Sequence, residues 1–106
     1  MRSYSVWQLI IVAAVLVATG QVMADGDIKA GEGKAVSCAG CHGANGEGSG
    51  DNPAIAGWDV ELFKSSMQAY KSGEKEDPMM NMLVAPLSDE DIADLAAYYA
   101  SLSSAE

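Results

Sequence analysis

Apolar residues recur at helical spacing in two stretches of the second half of the chain. One stretch follows Asp59, a good helix N-cap, and ends at Lys71-Ser72-Gly73. Its apolar face consists of Val60, Leu62, Phe63, Met67 and Tyr70. The other carries a stripe made of Ile92, Leu95, Tyr98 or Tyr99, and Leu102. Both stretches are predicted to be amphipathic helices with one buried face.

Strong start signals precede the last of these helices. Ser88 is a good N-cap, and Asp91 stands three residues later, where its side chain can complete a capping box. Asp89 and Glu90 place further negative charge at the positive end of the helix dipole. We therefore expect this helix to begin after Ser88 and to run to about Leu102.

An earlier helix is predicted from Asp25 to about Ala39, with Asp27 as its N-cap. Gly31 and Gly33 interrupt it, and each glycine costs about 1 kcal/mol relative to alanine inside a helix. Such glycines are tolerated where a partner approaches closely, so another helix is expected to cross near Gly31. Without that crossing, the segment would be a weak and frayed helix.

Two segments separate the predicted helices. Residues 43–57 are dense in glycine, asparagine, aspartate and proline and are predicted to form a loop with several tight turns. Residues 79–86, here called the methionine strap, are apolar and too irregular in pattern for a long helix. No stretch alternates long enough to demand a strand. The fold class is therefore expected to be all-α, with three main helices plus loops.

Residues 1–24 have the layout of a secretory signal peptide. One positive charge, Arg2, precedes an apolar run at residues 9–18, and small residues occupy the −3 and −1 positions of a cleavage site after Ala24. An apolar run this short favours cleavage over an uncleaved membrane anchor. The expected mature domain is residues 25–106, without stable membrane insertion after cleavage.

Acidic residues outnumber basic ones, fifteen to six, which gives a formal net charge of −9. Nucleic-acid binding depends on Lys and Arg side chains that neutralise phosphates, so nucleic acid is a poor candidate partner. An acidic surface suits partner proteins with basic docking patches, because opposite charges steer the encounter. Solvation alone would also account for the charge.

The segment Cys38-Ala39-Gly40-Cys41-His42 carries the most specific single signal in the chain. Two cysteines separated by two residues and followed at once by histidine form the pattern of c-type haem attachment. Each thiol can form a thioether with one haem vinyl group, and the His42 imidazole can be the proximal iron ligand. The sequence therefore predicts one covalently bound haem c.

Three other interpretations of the two cysteines compete with haem. A thioredoxin-type redox pair needs a βαβ setting, and structural zinc needs further Cys or His ligands, neither of which this sequence offers. A plain disulfide would prevent haem attachment. The histidine that follows Cys41 and the export signal both favour haem over the disulfide.

A second iron ligand has to come from elsewhere, because His42 is the only histidine. Electron-transfer cytochromes c use Met/His ligation. The methionine strap offers Met79, Met80 and Met82, and Met67 lies on the preceding helix. Core filling is the usual role of a single methionine. Three methionines within four positions, flanked by Pro78 and Pro86, favour the strap as a rigid loop that bears the ligand.

Pro53 lies in the loop that follows His42. A backbone carbonyl near Pro53 could accept the Nδ1–H of His42, which is the contact that fixes the tautomer of a metal-bound imidazole. A simple stiffening of the loop would explain this proline equally well.

Several short motifs, in this order, resemble class I cytochromes c. They are CAGCH, the PAIAG turn, YKSG, the methionine strap and LSDEDIADLAAYYASL. The chain is most similar to one half of the dihaem cytochrome c4, within the c4/c5/c553 group, over nearly all of residues 27–102. The resemblance implies a cytochrome c fold wrapped around one haem. The chain departs from the family in having no second Cys-x-x-Cys-His run and a short connection before the strap.

The resemblance also implies which residues form the site. The family's axial methionine stands seven residues before the leucine of the Leu-Ser-Asp helix start, which gives Met80 here, with Met82 second and Met79 third. It further implies that Gly31 packs against an aromatic residue of the last helix, by position Tyr98.

The same resemblance favours Pro53 as the carbonyl partner of His42. Together, these features predict a bacterial periplasmic single-electron carrier with His/Met axial ligation that is not an enzyme. Its partners would be redox proteins, and it would be a monomer or a weak homodimer. Two alternatives stay open: an electron-accepting haem c subunit of a periplasmic oxidoreductase complex, and a five-coordinate gas-binding haem protein.

Overall fold

The computed structural model describes residues 26–103, so the signal-peptide prediction for residues 1–24 lies outside the described part. The described residues form five helices: α1 Ile28–Lys34, α2 Val36–His42, α3 Val60–Ser72, α4 Pro78–Val84 and α5 Asp89–Ala100. Within residues 26–103 there is no β-strand, only an isolated bridge between Ser49 and Asn52. None of these five helices is long and apolar enough to span a bilayer. The all-α prediction is confirmed.

The first predicted helix is in fact two consecutive helices, and the second of them, α2, continues beyond Ala39 to His42. Asp27 caps α1 as predicted, because its carboxylate accepts the backbone N–H groups of Lys29 and Ala30. The break falls at Ala35, a buried residue with 5% exposure. As a result, the whole Cys-x-x-Cys-His run lies on one short helix.

Helix α1 meets α5 at Gly31, as predicted. A Cβ atom added at Gly31 would lie 2.0 Å from the Asp94 carbonyl oxygen and 2.7 Å from the Tyr98 Cβ. Lys34 holds the same crossing together, since its Nζ lies 2.6 Å from Asp94 Oδ2 and 2.8 Å from Asp91 Oδ1. The glycine therefore permits a close helix contact that an ion pair then secures.

Helix α3 begins after Asp59 and ends at Gly73, whose φ of 88° is left-handed. Its buried residues are Phe63, Ser66 and Met67, at the spacing i, i+3 and i+4. The Phe63 ring stacks on Tyr99 with centroids 5.7 Å apart. The assignment of Leu62 to the apolar face is wrong: this side chain is 51% exposed. It precedes Phe63 by one residue and so points about 100° away from the buried stripe.

Helix α5 has the predicted capping box, in which Ser88 and Asp91 bond each other's backbone N–H groups. Of the two candidate tyrosines, Tyr99 is buried at 1% exposure, while Tyr98 is only partly buried. The helix ends at Ala100, and Leu102 packs against the core from the turn that follows. This helix supplies the largest share of the core, which consists of Ala35, Ile55, Phe63, Met67, Val84, Ile92, Leu95, Ala96 and Tyr99.

The prediction that the methionine strap is a loop is wrong, because residues 78–84 form the short helix α4. Asp77 is its N-cap and Pro78 its first residue. Proline suits that position because its missing N–H would have no partner inside the helix. Val84, which is 2% exposed, anchors the other end of α4 in the core.

Candidate haem site

A cavity opens between α2, the loop of residues 43–57, α3 and α4. It holds about 1090 Å³ of empty space, its open mouth included. Apolar walls come from Ile55, Phe63 and Leu95, each of which is at most 6% exposed. The thiol, imidazole and thioether side chains in its lining belong to Cys38, Cys41, His42, Met67, Met79 and Met80. The predicted attachment motif and part of the methionine strap thus line one cavity.

His42 is the last residue of α2, and its ring is held by the loop that follows. Gly43 ends the helix with a φ of 98°, a value that residues with a side chain rarely adopt. The loop then folds back, so that His42 Nδ1 lies 2.7 Å from the carbonyl oxygen of Pro53. A carbonyl oxygen can only accept, so Nδ1 carries a proton, and in the neutral ring Nε2 then keeps its lone pair. Neutral imidazole with a free Nε2 is the form that binds metals.

Asn52 helps to hold this loop on α2, a role that the sequence analysis missed. Its side-chain Nδ2 donates to the Cys41 carbonyl oxygen at 3.1 Å, and its backbone pairs with Ser49 in both directions. The segment before Pro53 is therefore tied to the helix that carries His42. The Asn-Pro dipeptide, a known turn signal, could have drawn attention to this position.

The two cysteines are free thiols in the structure, and both are partly buried. Burial raises the pKa of the Cys38 thiol, because an apolar environment disfavours the thiolate. A thioether at the same position would have no titratable proton and would suit the apolar surroundings. The environment of Cys38 therefore fits a sulfur that ends as a thioether.

The strap methionines divide between the two faces of α4. Met79 and Met82, three residues apart and so on the same face, are 52% and 61% exposed. Met79 reaches the rim of the cavity, but Met82 does not line it. Met80 is partly buried, packs against the core and lines the cavity. The structure thus places Met80 within the cavity and Met82, the second choice from the sequence, outside it.

These residues fit a covalently bound haem c. The cavity combines two thiols and an oriented imidazole on α2 with a thioether on α4. Its buried walls are apolar apart from Ser66, and charged side chains stand only at exposed positions of its lining, at Asp51, Lys75 and Asp77. An apolar pocket with thiol, imidazole and thioether groups is the environment that a cytochrome c provides.

Comparison with known proteins agrees with this site. Residues 28–103 match the Cytochrome c family profile. The chain is 41% identical over 80 residues to cytochrome c-554(548) of Halomonas halodenitrificans, covering 72% of this chain and 96% of that protein. It is 42% identical over 84 residues to cytochrome c4 of Pseudomonas aeruginosa, covering 78% of this chain and 42% of that protein.

Further similarities extend to a redox-enzyme partner and to a solved structure. The thiosulfate dehydrogenase electron acceptor of Stutzerimonas stutzeri is 34% identical over 97 residues, covering 86% of this chain and 45% of that protein. Reduced cytochrome c4 from Pseudomonas stutzeri superposes with a TM-score of 0.69 at 34% identity, covering 76% of this chain and 47% of that one. The chain thus spans less than half the length of these cytochromes c4.

The family match, the cavity and the Cys-x-x-Cys-His run all lead to one assignment. The chain belongs to the cytochrome c family, as a class I electron carrier with a single haem c, similar to one half of cytochrome c4.

Proposed function

We propose that this protein is a periplasmic single-electron carrier whose haem iron is held between His42 and Met80. The observation that carries the proposal is that a single cavity is lined by Cys38, Cys41, His42 and Met80. In this proposal, Cys38 and Cys41 would each form a thioether by adding the thiol to a haem vinyl group, and His42 Nε2 and the Met80 sulfur would ligate the iron. Met79, the third choice, is the less suitable ligand because it is half exposed.

The chain's own residues account for the properties that an electron carrier needs. When bound, the haem supplies an iron that changes between the ferrous and ferric states. The Pro53 carbonyl fixes the His42 ring through Nδ1, at 2.7 Å, so the imidazole is already oriented for ligation. Two protein ligands leave no open coordination position, which excludes substrate chemistry and keeps structural change between redox states small. The apolar walls disfavour the additional positive charge of the ferric state.

The N-terminal segment supports export, and the net charge of the chain supports a class of partner. Residues 1–24 are proposed to be a signal peptide that is removed on export, because haem c is attached outside the bacterial cytoplasm. The net charge of −9 favours redox partners that present basic docking patches. The protein itself would act as a monomer or a weak homodimer.

A second candidate function keeps the same chemistry but assigns the chain to an enzyme complex. The similarity to the thiosulfate dehydrogenase electron acceptor favours it. In this case the protein would be the haem c subunit that accepts electrons from a periplasmic oxidoreductase. Co-purification of a stable partner at high salt would support this candidate, whereas a monomer on gel filtration would favour the freely diffusing carrier.

The spectrum of the ferric protein, purified after export, tests the proposed ligation. We expect the near-infrared charge-transfer band of methionine-ligated ferric haem, and no rapid binding of carbon monoxide after reduction. Absence of the band together with rapid carbon monoxide binding would instead support the five-coordinate gas-binding alternative, in which the strap methionines only fill space.

A further inference from the structure

Asn81 follows Met80 directly, and its side chain makes three hydrogen bonds that the proposed function does not explain. Its Nδ2 donates to the backbone carbonyl oxygens of Tyr70 and Lys75, at 2.8 and 3.0 Å. Its Oδ1 accepts the backbone N–H of Asp77 at 2.9 Å. Both Nδ2 protons and one oxygen lone pair are used, which is nearly the full capacity of an amide side chain.

These three partners belong to three different segments. Tyr70 lies in the last turn of α3, Lys75 in the connection between α3 and α4, and Asp77 is the N-cap of α4. The Asp77 carboxylate in turn accepts the backbone N–H of Met80 at 3.2 Å. A continuous set of hydrogen bonds therefore runs from the end of α3, through Asn81 and Asp77, to the backbone of Met80.

Helix α4 depends on such anchors because it has only seven residues. A helix this short is not stable in water by itself. Its C-terminal end is anchored by the buried Val84 and by Lys71, whose Nζ donates to the Leu87 carbonyl oxygen just beyond the helix. Its N-terminal end, where Met80 lies, has the Asn81 side chain as its hydrogen-bonded link to α3.

We propose that Asn81 is a positioning residue for Met80: its amide fixes the start of α4 to the end of α3 and thereby keeps the Met80 side chain in the cavity. The inference rests on the proposed function, since it takes Met80 as the axial ligand. A purely structural role for Asn81 would affect the stability of the whole domain without a particular effect on the exchange of the axial ligand.

Imidazole binding to the ferric holoprotein measures this exchange. Added imidazole replaces the methionine, so its apparent affinity includes the free energy of moving Met80 out of the cavity. Asn81→Ala removes all three hydrogen bonds. Asn81→Asp keeps the shape and the acceptor for Asp77 but loses both donors. We expect each variant to bind imidazole about tenfold more tightly, the factor that corresponds to ~1.4 kcal/mol and to the net value of one or two hydrogen bonds.

Gln68→Ala is the matched control. Gln68 is an exposed amide side chain, and its Nε2 donates to Asp89 Oδ1 at 3.0 Å, a hydrogen bond that links α3 to α5 instead of α4. This variant should keep the imidazole affinity of the wild type. If the Asn81 variants also kept it, the positioning role would be refuted, even if their thermal stability were lower. An equal increase in Gln68→Ala would refute it as well.

Two further measurements distinguish a failure of the proposed Met80 ligation from a failure of the positioning role of Asn81. Met80→Ala should lose the near-infrared band; if the band persists, the proposed ligation fails, whatever the Asn81 variants show. In the unmodified protein, the Asp77 amide should exchange its hydrogen at least tenfold more slowly than an unprotected amide. Exchange at the unprotected rate would show that the Asn81 anchor does not form, and this test needs no variant that has to fold.

Discussion

Gly31→Ala is expected to destabilise the protein, because the backbone of α5 occupies the space that the new methyl group would need. The added Cβ would lie 2.0 Å from the Asp94 carbonyl oxygen and 2.7 Å from both the Asp94 carbonyl carbon and the Tyr98 Cβ. None of these atoms is the free end of a flexible side chain. One helix would have to move away from the other, and the contact between Lys34 and Asp94 would be disturbed with it.

The size of the effect follows from two opposing contributions. Overpacking costs typically ~1–3 kcal/mol, and contacts this short place Gly31→Ala at the upper end. Replacing glycine by alanine within a helix returns about 1 kcal/mol, so the net loss should be ~2 kcal/mol. Gly33→Ala is the matched control, because no atom lies within 4 Å of its added Cβ. It should gain about 1 kcal/mol.

Thermal unfolding of the ferric holoproteins, followed by circular dichroism, compares the two variants under identical conditions. They should differ by ~3 kcal/mol, which corresponds to at least ~12 °C in Tm for a domain of this size. Denaturant titration should give the same order with unchanged m-values. If Gly31→Ala were as stable as Gly33→Ala, the close crossing of α1 and α5 would be wrong.

The remaining predictions concern the ion pairs of Lys34 and the predicted signal peptide. Hydrogen bonding to Lys34 holds the pKa of Asp91 at about 2, below its ordinary 3.8, and also lowers the pKa of Asp94. Their contribution to stability is therefore present above pH 3.8 and lost as the pH falls toward 2. Lys34→Met should lower Tm near pH ~7, with the difference from wild type shrinking toward pH ~2; a constant difference would contradict the ion-pair account. The intact mass of the periplasmic protein should correspond to residues 25–106 plus one haem, and a mass that includes residues 1–24 would contradict cleavage.

Features encoded by neighbouring residues were predictable from the sequence. The capping box of Ser88 and Asp91 fixed the start of α5, and the pair of Asp59 and Gly73 bounded α3. The attachment motif is likewise local. The crossing at Gly31 could also be predicted, because a glycine inside a helix needs a reason, and close approach of a partner is a common one.

Features that depend on distant residues could not be predicted in the same way. Lys34 and Asp94 are 60 positions apart, and each looks like an ordinary solvated charge in the sequence. Asn81 likewise looks like a polar interruption in an apolar strap, although its partners extend back eleven residues. Met80 and Met82 have the same chemistry, so only the direction of each side chain on α4 separates them. The sequence does contain a local signal for the start of α4: Asp77 is a good N-cap, and Pro78 suits the first helical position.

The central claim is that His42 and Met80 are the two axial ligands of the iron. The near-infrared charge-transfer band of the ferric protein, compared between Met80→Ala and Met82→Ala, tests it most directly. Met80 lines the cavity, whereas Met82 is 61% exposed outside it. The account predicts that the band is lost in Met80→Ala and kept in Met82→Ala. A band that persists in Met80→Ala, or disappears in Met82→Ala alone, would contradict it.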